Sequence, residues 1–429
     1  MEQVIVRHTR HMPARSVAVT RQSGSRLVLT ALCFNMVLCF ISTRGDIHMS
    51  NAVVIVCEMT ILTAGLYAMR FRISDRAVRL SGVTAVFLIG LRFINPGLDL
   101  KILHDIAIMY IFYMLGTLAS VQEGNRVLWI AMAIIIPIGL FEALFPAQFG
   151  AMFDVWSYYV DKGVISASTI NYSHTTSFVS GSRGGTETRT FLPFLLGPAR
   201  FSSVFLEPVS MGNFSAIAFA WCISTRIGSW KMRGLLVALA AACFVLADSR
   251  FAFGCWILML AFRMSPFWRS GFAVFCLPLL AMLSLVVAGS LHELPGVLPG
   301  IVQDDFSGRL LFSGRLLDYW SLPQWFALEP SQVYTSDTGY AYVINNLGLP
   351  LALFLLSIFA FHKPKTPEAI SMKAMIAVYM ATSLCIGANM FTIKTAAICW
   401  FLYGAATVTP STLARDTRQN NFKNNAHKQ

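Results

Sequence analysis

The chain has 429 residues, of which 56% are hydrophobic and only 13% charged, half the charge of a typical soluble domain at about 25%. With a mean hydropathy of +0.62, this composition excludes an ordinary soluble domain and calls for a polytopic membrane protein. The net charge of +12 does not indicate nucleic acid as a partner, because the positives sit in short segments beside apolar runs, as topology determinants do.

The first 26 residues are basic and polar, and no small-residue cleavage site follows them. The apolar run that comes next is read as an uncleaved first span. A spanning helix needs about 20 mostly apolar residues. Spans are predicted over 26–43, 51–69, 78–95, 102–121, 127–146, 204–225, 234–248, 250–266, 271–290, 341–361, 373–389 and 391–409. The seventh and eighth are short and meet at the tight turn Asp248-Ser249-Arg250. Residues 191–199 are apolar but too short to cross, and are expected to dip into the interface.

Two long polar segments, about 147–203 and 291–340, interrupt this series. The expected fold is all-α: a single polytopic membrane domain over 1–409 with about 12 transmembrane helices and two large periplasmic loops. A disordered, basic cytoplasmic tail over 410–429 is expected to follow it.

Twelve spans put both termini on one side, and that side holds 22 of the 33 Lys and Arg residues although its loops are short. The opposite side holds ten, and Arg92 lies within a span. The positive-inside rule therefore predicts cytoplasmic termini and external large loops. All nine cysteines lie in apolar stretches, so no disulfide framework is expected and they read as packing residues.

Four polar clusters stand at the predicted outer face. The first, Arg200 to Asn213, contains Glu207 immediately before Pro208, a residue suited to a helix's first turn. Arg200 and Glu207 then flank the mouth of the sixth span, with Ser210 and Asn213 a turn deeper. A carboxylate at this position is equally a cap that favours the helix dipole. The second cluster is Asp248-Ser249-Arg250, either a local ion-paired turn or a fixed cation near Arg200. The third, Asp304 to Phe326, repeats apolar residues at helical spacing (Phe306, Leu310, Leu317, Trp320) and is expected to lie on the membrane as an amphipathic helix. Its Arg309 and Arg315 either reach a substrate or anchor the helix to anionic lipid. The fourth brings Asp337 and Tyr340 to the outer end of the tenth span. Glu58, Asp105 and Glu142 lie within or near span ends, where charges are costly and often functional. Arg92 and Lys394 belong to the same group, with snorkelling at the outer ends as their alternative reading.

These residues suit one chemistry. A lipid-linked diphosphate gains negative charge as its bond to a sugar breaks, and guanidinium groups bind phosphate oxygens through paired bonds. Fixed cations in a poorly solvated site stabilise that charge mainly in the transition state. The attacking hydroxyl needs a base within hydrogen-bond reach, for which Glu207 is the first choice and Asp337 the second. His174 and His292 lie in the outer loops without a supporting pattern. Trp320, Tyr340 and Asn213 are the candidates for contact with sugar. No metal-ligand spacing or phosphate-cradling loop is present, so no metal or cofactor is expected.

The motifs RFSSVFLEP with Gly212, the ADSR turn, Ser313-Gly314-Arg315 followed by Trp320, and DTGYAYVINNLG up to Gly348 resemble those of the Wzy-type polysaccharide polymerases and related O-antigen ligases. Within that superfamily the chain looks most similar to polymerases of xanthan-type exopolysaccharides. The resemblance implies a glycosyltransferase C-like membrane fold in the bacterial inner membrane and a metal-independent, inverting glycosyltransferase. The substrate would be an undecaprenyl-diphosphate-linked oligosaccharide, with membrane lipid and chain-length or export proteins as further partners. Arg200, Arg250, Arg309 and Arg315 match the family's loop arginines and would bind the diphosphate. Ligases carry a histidine near the start of the span after the second large loop. Here Asp337 and Tyr340 occupy that region, which favours a polymerase over a ligase. A flippase or transporter is the alternative of another class.

Overall fold

The computed structural model describes residues 14–69, 75–165, 192–196, 200–226, 228–292, 306–333, 335 and 338–408. Among them the chain is helical, with no strand. The elements are α1 (Ala14–Gly45), α2 (Asn51–Ala68), α3 (Asp75–Ile94), α4 (Lys101–Thr117), α5 (Val121–Leu144), α6 (Pro146–Met152), α7 (Val155–Asp161), α8 (Pro193–Leu196), α9 (Pro208–Ser224), α10 (Trp230–Leu246), α11 (Arg250–Met264), α12 (Gly271–His292), α13 (Phe306–Asp318), α14 (Leu322–Trp325), α15 (Gly339–Phe361), α16 (Pro367–Ser383) and α17 (Ile393–Ala406).

Five of the described helices are long and apolar enough to cross a membrane: Ser23–Gly45 of α1, α2, α5, Gly271–Leu291 of α12, and α15. The architecture is that of an α-helical membrane protein. Their outward faces are apolar, with Val56 63%, Val37 53% and Leu280 58% exposed. Such surface suits lipid and would be a liability in water. Each segment predicted as a span coincides with a helix, including α10 and α11, which meet at the turn around Asp248 as expected.

With lipid outside, helices associate through close backbone packing and small residues. The tightest approach joins α4 and α17. A side chain on Gly116 would run into the carbonyl of Phe401, and one on Gly404 into that of Tyr113. The two helices run parallel, so their N-terminal ends lie side by side. The same device fixes α13. A side chain on Gly314 would strike the carbonyl of Leu285, and one on Gly289 the backbone of Gly314.

Through that contact the amphipathic helix expected here, α13, docks on α12 and buries Ser313, Leu316 and Leu317. The reason is steric: small residues at Gly289 and Gly314 allow backbone contact that bulkier residues forbid. Helix α15 is broken at Gly348, whose φ of 69° leaves the helical region and is readily adopted by glycine alone. The nine cysteines are all free and either buried or half-buried, as packing residues should be.

Candidate functional site

The stretch before α9 is shaped by a buried carboxylate. Glu142 of α5 accepts hydrogen bonds from the backbone N–H groups of Ser202 (2.8 Å) and Ser203 (2.7 Å) and from the Ser202 hydroxyl (3.1 Å). Three donors satisfy a buried carboxylate and pin the loop. Ser203 (φ 52°) and Leu206 (φ 61°) then take left-handed conformations, uncommon for side chains of their kind and a frequent mark of functional loops. Beyond Leu206 the chain emerges with Glu207 at the N-cap of α9.

The first and second sequence clusters form one structural unit. The Arg200 Nε donates to the Ala247 carbonyl at 3.2 Å, and the Phe201 N–H donates to the Leu246 carbonyl at 2.9 Å. Gly212 lies directly against Ser249. Asp248 accepts from the Leu192 N–H at 2.8 Å. Arg200 is thus tied to the turn that starts α11 with Arg250.

Glu207 occupies the N-cap position without capping the helix with its side chain. Its carboxylate instead accepts from the Tyr159 hydroxyl at 2.5 Å and the Ser210 hydroxyl at 2.9 Å. It also pairs with the Lys394 ammonium at 3.3 Å, where the two side chains are 27% and 7% exposed respectively. Lys394 donates in addition to the Phe205 carbonyl at 2.9 Å. This removes the snorkelling alternative for Lys394: at the start of α17 it finds a carboxylate and a carbonyl inside the protein. Arg92 does bend back at its helix end, donating to the carbonyls of Pro96 and Leu98.

Helix α7 covers this pair. Asp154 caps it through the Ser157 N–H (3.0 Å), and the Asp154 N–H donates to Thr43 of α1 (2.9 Å). Tyr158 donates to Asn35 of α1 at 2.8 Å, while Tyr159 reaches Glu207. One turn of helix therefore bridges α1 and α9. Lys162, just after it, holds its ammonium 5.3 Å and 5.2 Å from the ring centroids of Tyr158 and Tyr159, a cation–π arrangement. Burial pushes the Lys162 ammonium down to about 8, with the charge of Lys394 adding to that effect and Glu207 opposing it.

A second polar network lies beside the first. His104 of α4 sits 3.5 Å from Glu58 of α2 and 3.3 Å from Asp105. Asp105 accepts from the Tyr342 hydroxyl of α15 at 2.6 Å. Lys162 interacts electrostatically with both groups, through Glu207 and Glu58. The N-terminal halves of α2, α4, α9, α15 and α17 thus gather ionisable groups at one end of the bundle.

The remaining predicted residues divide. Asp337 lies outside the described residues, as does His174. Arg309 and Arg315 are exposed on α13, which packs against α12 and α15. Trp320 is 8% exposed and packs edge-on against Trp325, with centroids 6.1 Å apart. Tyr340 is 5% exposed, and its hydroxyl reaches the Pro278 and Ala381 carbonyls at 2.7 Å and 3.1 Å. Asn213 is fully buried, accepting from Tyr379 (2.8 Å) and Ser383 (3.1 Å) and donating to the Val209 carbonyl (2.8 Å). The polar groups of Tyr340 and Asn213 are thus hydrogen-bonded to facing helices. Trp320 is likewise set in a packed layer.

Tyr159, Lys162 and His104 belong to the site but were not singled out from sequence. A lysine following two tyrosines in a polar loop was the one available signal for the first two. Comparison with protein-family models, curated proteins and solved structures finds no match to this chain.

Proposed function

We propose that the chain is an exopolysaccharide polymerase with twelve spans in the bacterial inner membrane and both termini in the cytoplasm. In this reading the charged end of the bundle faces the periplasm. The enzyme moves the growing glycan from undecaprenyl diphosphate onto the next lipid-linked repeat unit. The observation that carries the reading is the joining of Arg200, the Arg250 turn and Glu207 in one pinned loop, with Glu207 paired to a buried lysine.

The proposed step is a displacement at the sugar's anomeric carbon. The acceptor hydroxyl oxygen forms the new glycosidic bond as the bond from that carbon to the diphosphate oxygen breaks. The hydroxyl proton passes to a carboxylate, Glu207 in the first instance and Asp337 in the second. The diphosphate leaves on its lipid with its charge met by Arg200 and Arg250, with Arg309 and Arg315 of α13 as the further candidates. No metal or nucleotide enters this scheme, because the activated lipid donor supplies the driving force.

Purified protein reconstituted with undecaprenyl-diphosphate-linked repeat units tests the reading. Longer lipid-linked glycan is the expected product. Transfer to a terminal acceptor would make the chain a ligase, and movement across the bilayer without bond formation would make it a transporter. For the orientation, a periplasm-active reporter fused at Gly181 or Gln303 should be active and one at Asp75 silent.

A further inference from the structure

We propose that Lys162 and Lys394 form a binding site for a phosphate-bearing anion, and that Glu207 holds Lys394 until the anion arrives. The Lys162 ammonium makes no ion pair or hydrogen bond with any described residue. Its contacts are the faces of Tyr158 and Tyr159. An ammonium group carries three donors and no acceptor, and among the described residues these donors meet only the two ring faces, with solvent for the rest. Yet α7 is fixed at both tyrosines, through Asn35 and Glu207, so Lys162 is held at this place by its helix.

The neighbouring charges decide what would satisfy it. Lys394 and Lys101 oppose the charge on Lys162, while Glu207 and Glu58 favour it from beyond ion-pair distance. Glu207 is already shared by Lys394, Tyr159 and Ser210. Lys162 therefore meets no carboxylate within ion-pair distance, while Lys394 meets one, and Tyr159 of α7 links the two lysines through its ring and its hydroxyl. A ligand with several anionic oxygens would give Lys162 the counter-charge it lacks, and lysine serves as a point-charge partner for phosphate. The same depression that burial imposes on Lys162 would be relieved by such an anion.

The arrangement couples binding to readiness. When phosphate oxygens take Lys394, Glu207 keeps the Tyr159 and Ser210 hydrogen bonds but loses its cation. It then becomes a better proton acceptor at the moment the donor is seated. Assignment of the anion to a lipid-linked diphosphate rests on the proposed function, whereas the site itself rests on the geometry. The other source of the same chemistry is the headgroup of a bulk anionic phospholipid.

The test is acylation of Lys162 by a membrane-impermeant amine reagent, read by mass spectrometry on the full chain. It is run in maltoside micelles with and without inorganic diphosphate, and in phosphatidylglycerol nanodiscs. Inorganic diphosphate in micelles should slow labelling of Lys162 about ten-fold. Lys162→Ala and Lys162→Gln should weaken diphosphate binding by a similar factor while Lys162→Arg retains it, the effect expected for losing one charge-assisted contact. Glu207→Gln should tighten it by removing the competing carboxylate. Protection in phosphatidylglycerol alone would overturn the diphosphate assignment in favour of bulk lipid. Unchanged labelling in every medium, with Lys162→Ala and Lys162→Gln binding diphosphate as the parent does, would overturn the site. Because no glycan is made in this assay, a protein that binds diphosphate but polymerises nothing would sink only the proposed function.

Discussion

Replacing Lys394 by methionine keeps the length of the side chain and deletes its charge. The ammonium it removes lies 3.3 Å from Glu207, with the lysine 7% and the glutamate 27% exposed. Removing one partner of a buried ion pair costs about 3–5 kcal/mol because the other charge stays uncompensated. Glu207 keeps its hydrogen bonds from Tyr159 and Ser210 and some contact with solvent, which puts Lys394→Met at the lower end, about 3 kcal/mol. Adding Glu207→Gln removes the stranded charge, so the double variant should recover much of that loss. The coupling between the two positions should then be about 1.5–3 kcal/mol. Equilibrium unfolding in mixed micelles of a mild detergent and dodecyl sulfate, run on all four proteins, measures it. A loss under about 1 kcal/mol with additive single effects would mean that the pair is screened as a surface pair is, and would refute the reasoning.

Gly116→Ala and Gly404→Ala each force a methyl group into a carbonyl of the facing helix, and should each destabilise by about 1–3 kcal/mol in the same unfolding assay. Asn213→Ala strands the hydroxyls of Tyr379 and Ser383 and should cost about 1–3 kcal/mol, whereas Tyr379→Phe should cost less. Lys162 should acylate with a midpoint near pH 8, against about 10.4 for an ordinary lysine. Its charge is lost as pH rises through the folded value, so the penalty it imposes on the folded state is full below about pH 8 and fades toward pH 10.4. The groups that set this midpoint are Lys394, Glu207, Glu58 and Lys101; a midpoint near 10 would contradict the burial of the amine. Arg200→Ala and Arg315→Ala should leave expression normal while cells accumulate single-repeat lipid intermediates, and unchanged polymer length in both would count against the proposed roles.

Helix positions were legible because apolar length is a local property: α2 and α12 follow from composition alone, and the turn at Asp248 from polar residues between two apolar runs. The place of Glu207 at the head of α9 was also legible, since the proline after it suits a helix's first turn. Its partners were not. Lys394 lies 187 positions away in sequence, and only the parallel packing of α17 beside α4, next to α9, brings it near. Nor could sequence separate a polar residue that binds substrate from one that joins helices. Asn213 and Tyr340 lie near the starts of α9 and α15, but facing helices absorb their hydrogen bonds. The docking of α13 turned on two glycines, Gly289 and Gly314, whose pairing depends on the fold of the intervening chain.

The backbone contact at Gly116 and Gly404 has a mechanical corollary. It yokes α4 to α17 like two planks nailed together, so that His104 and Asp105 on one and Lys394 on the other keep a constant spacing. Sliding these helices apart to admit a bulky headgroup would tear that joint. Any rearrangement around Glu207 must therefore leave the distance from His104 to Lys394 as it is.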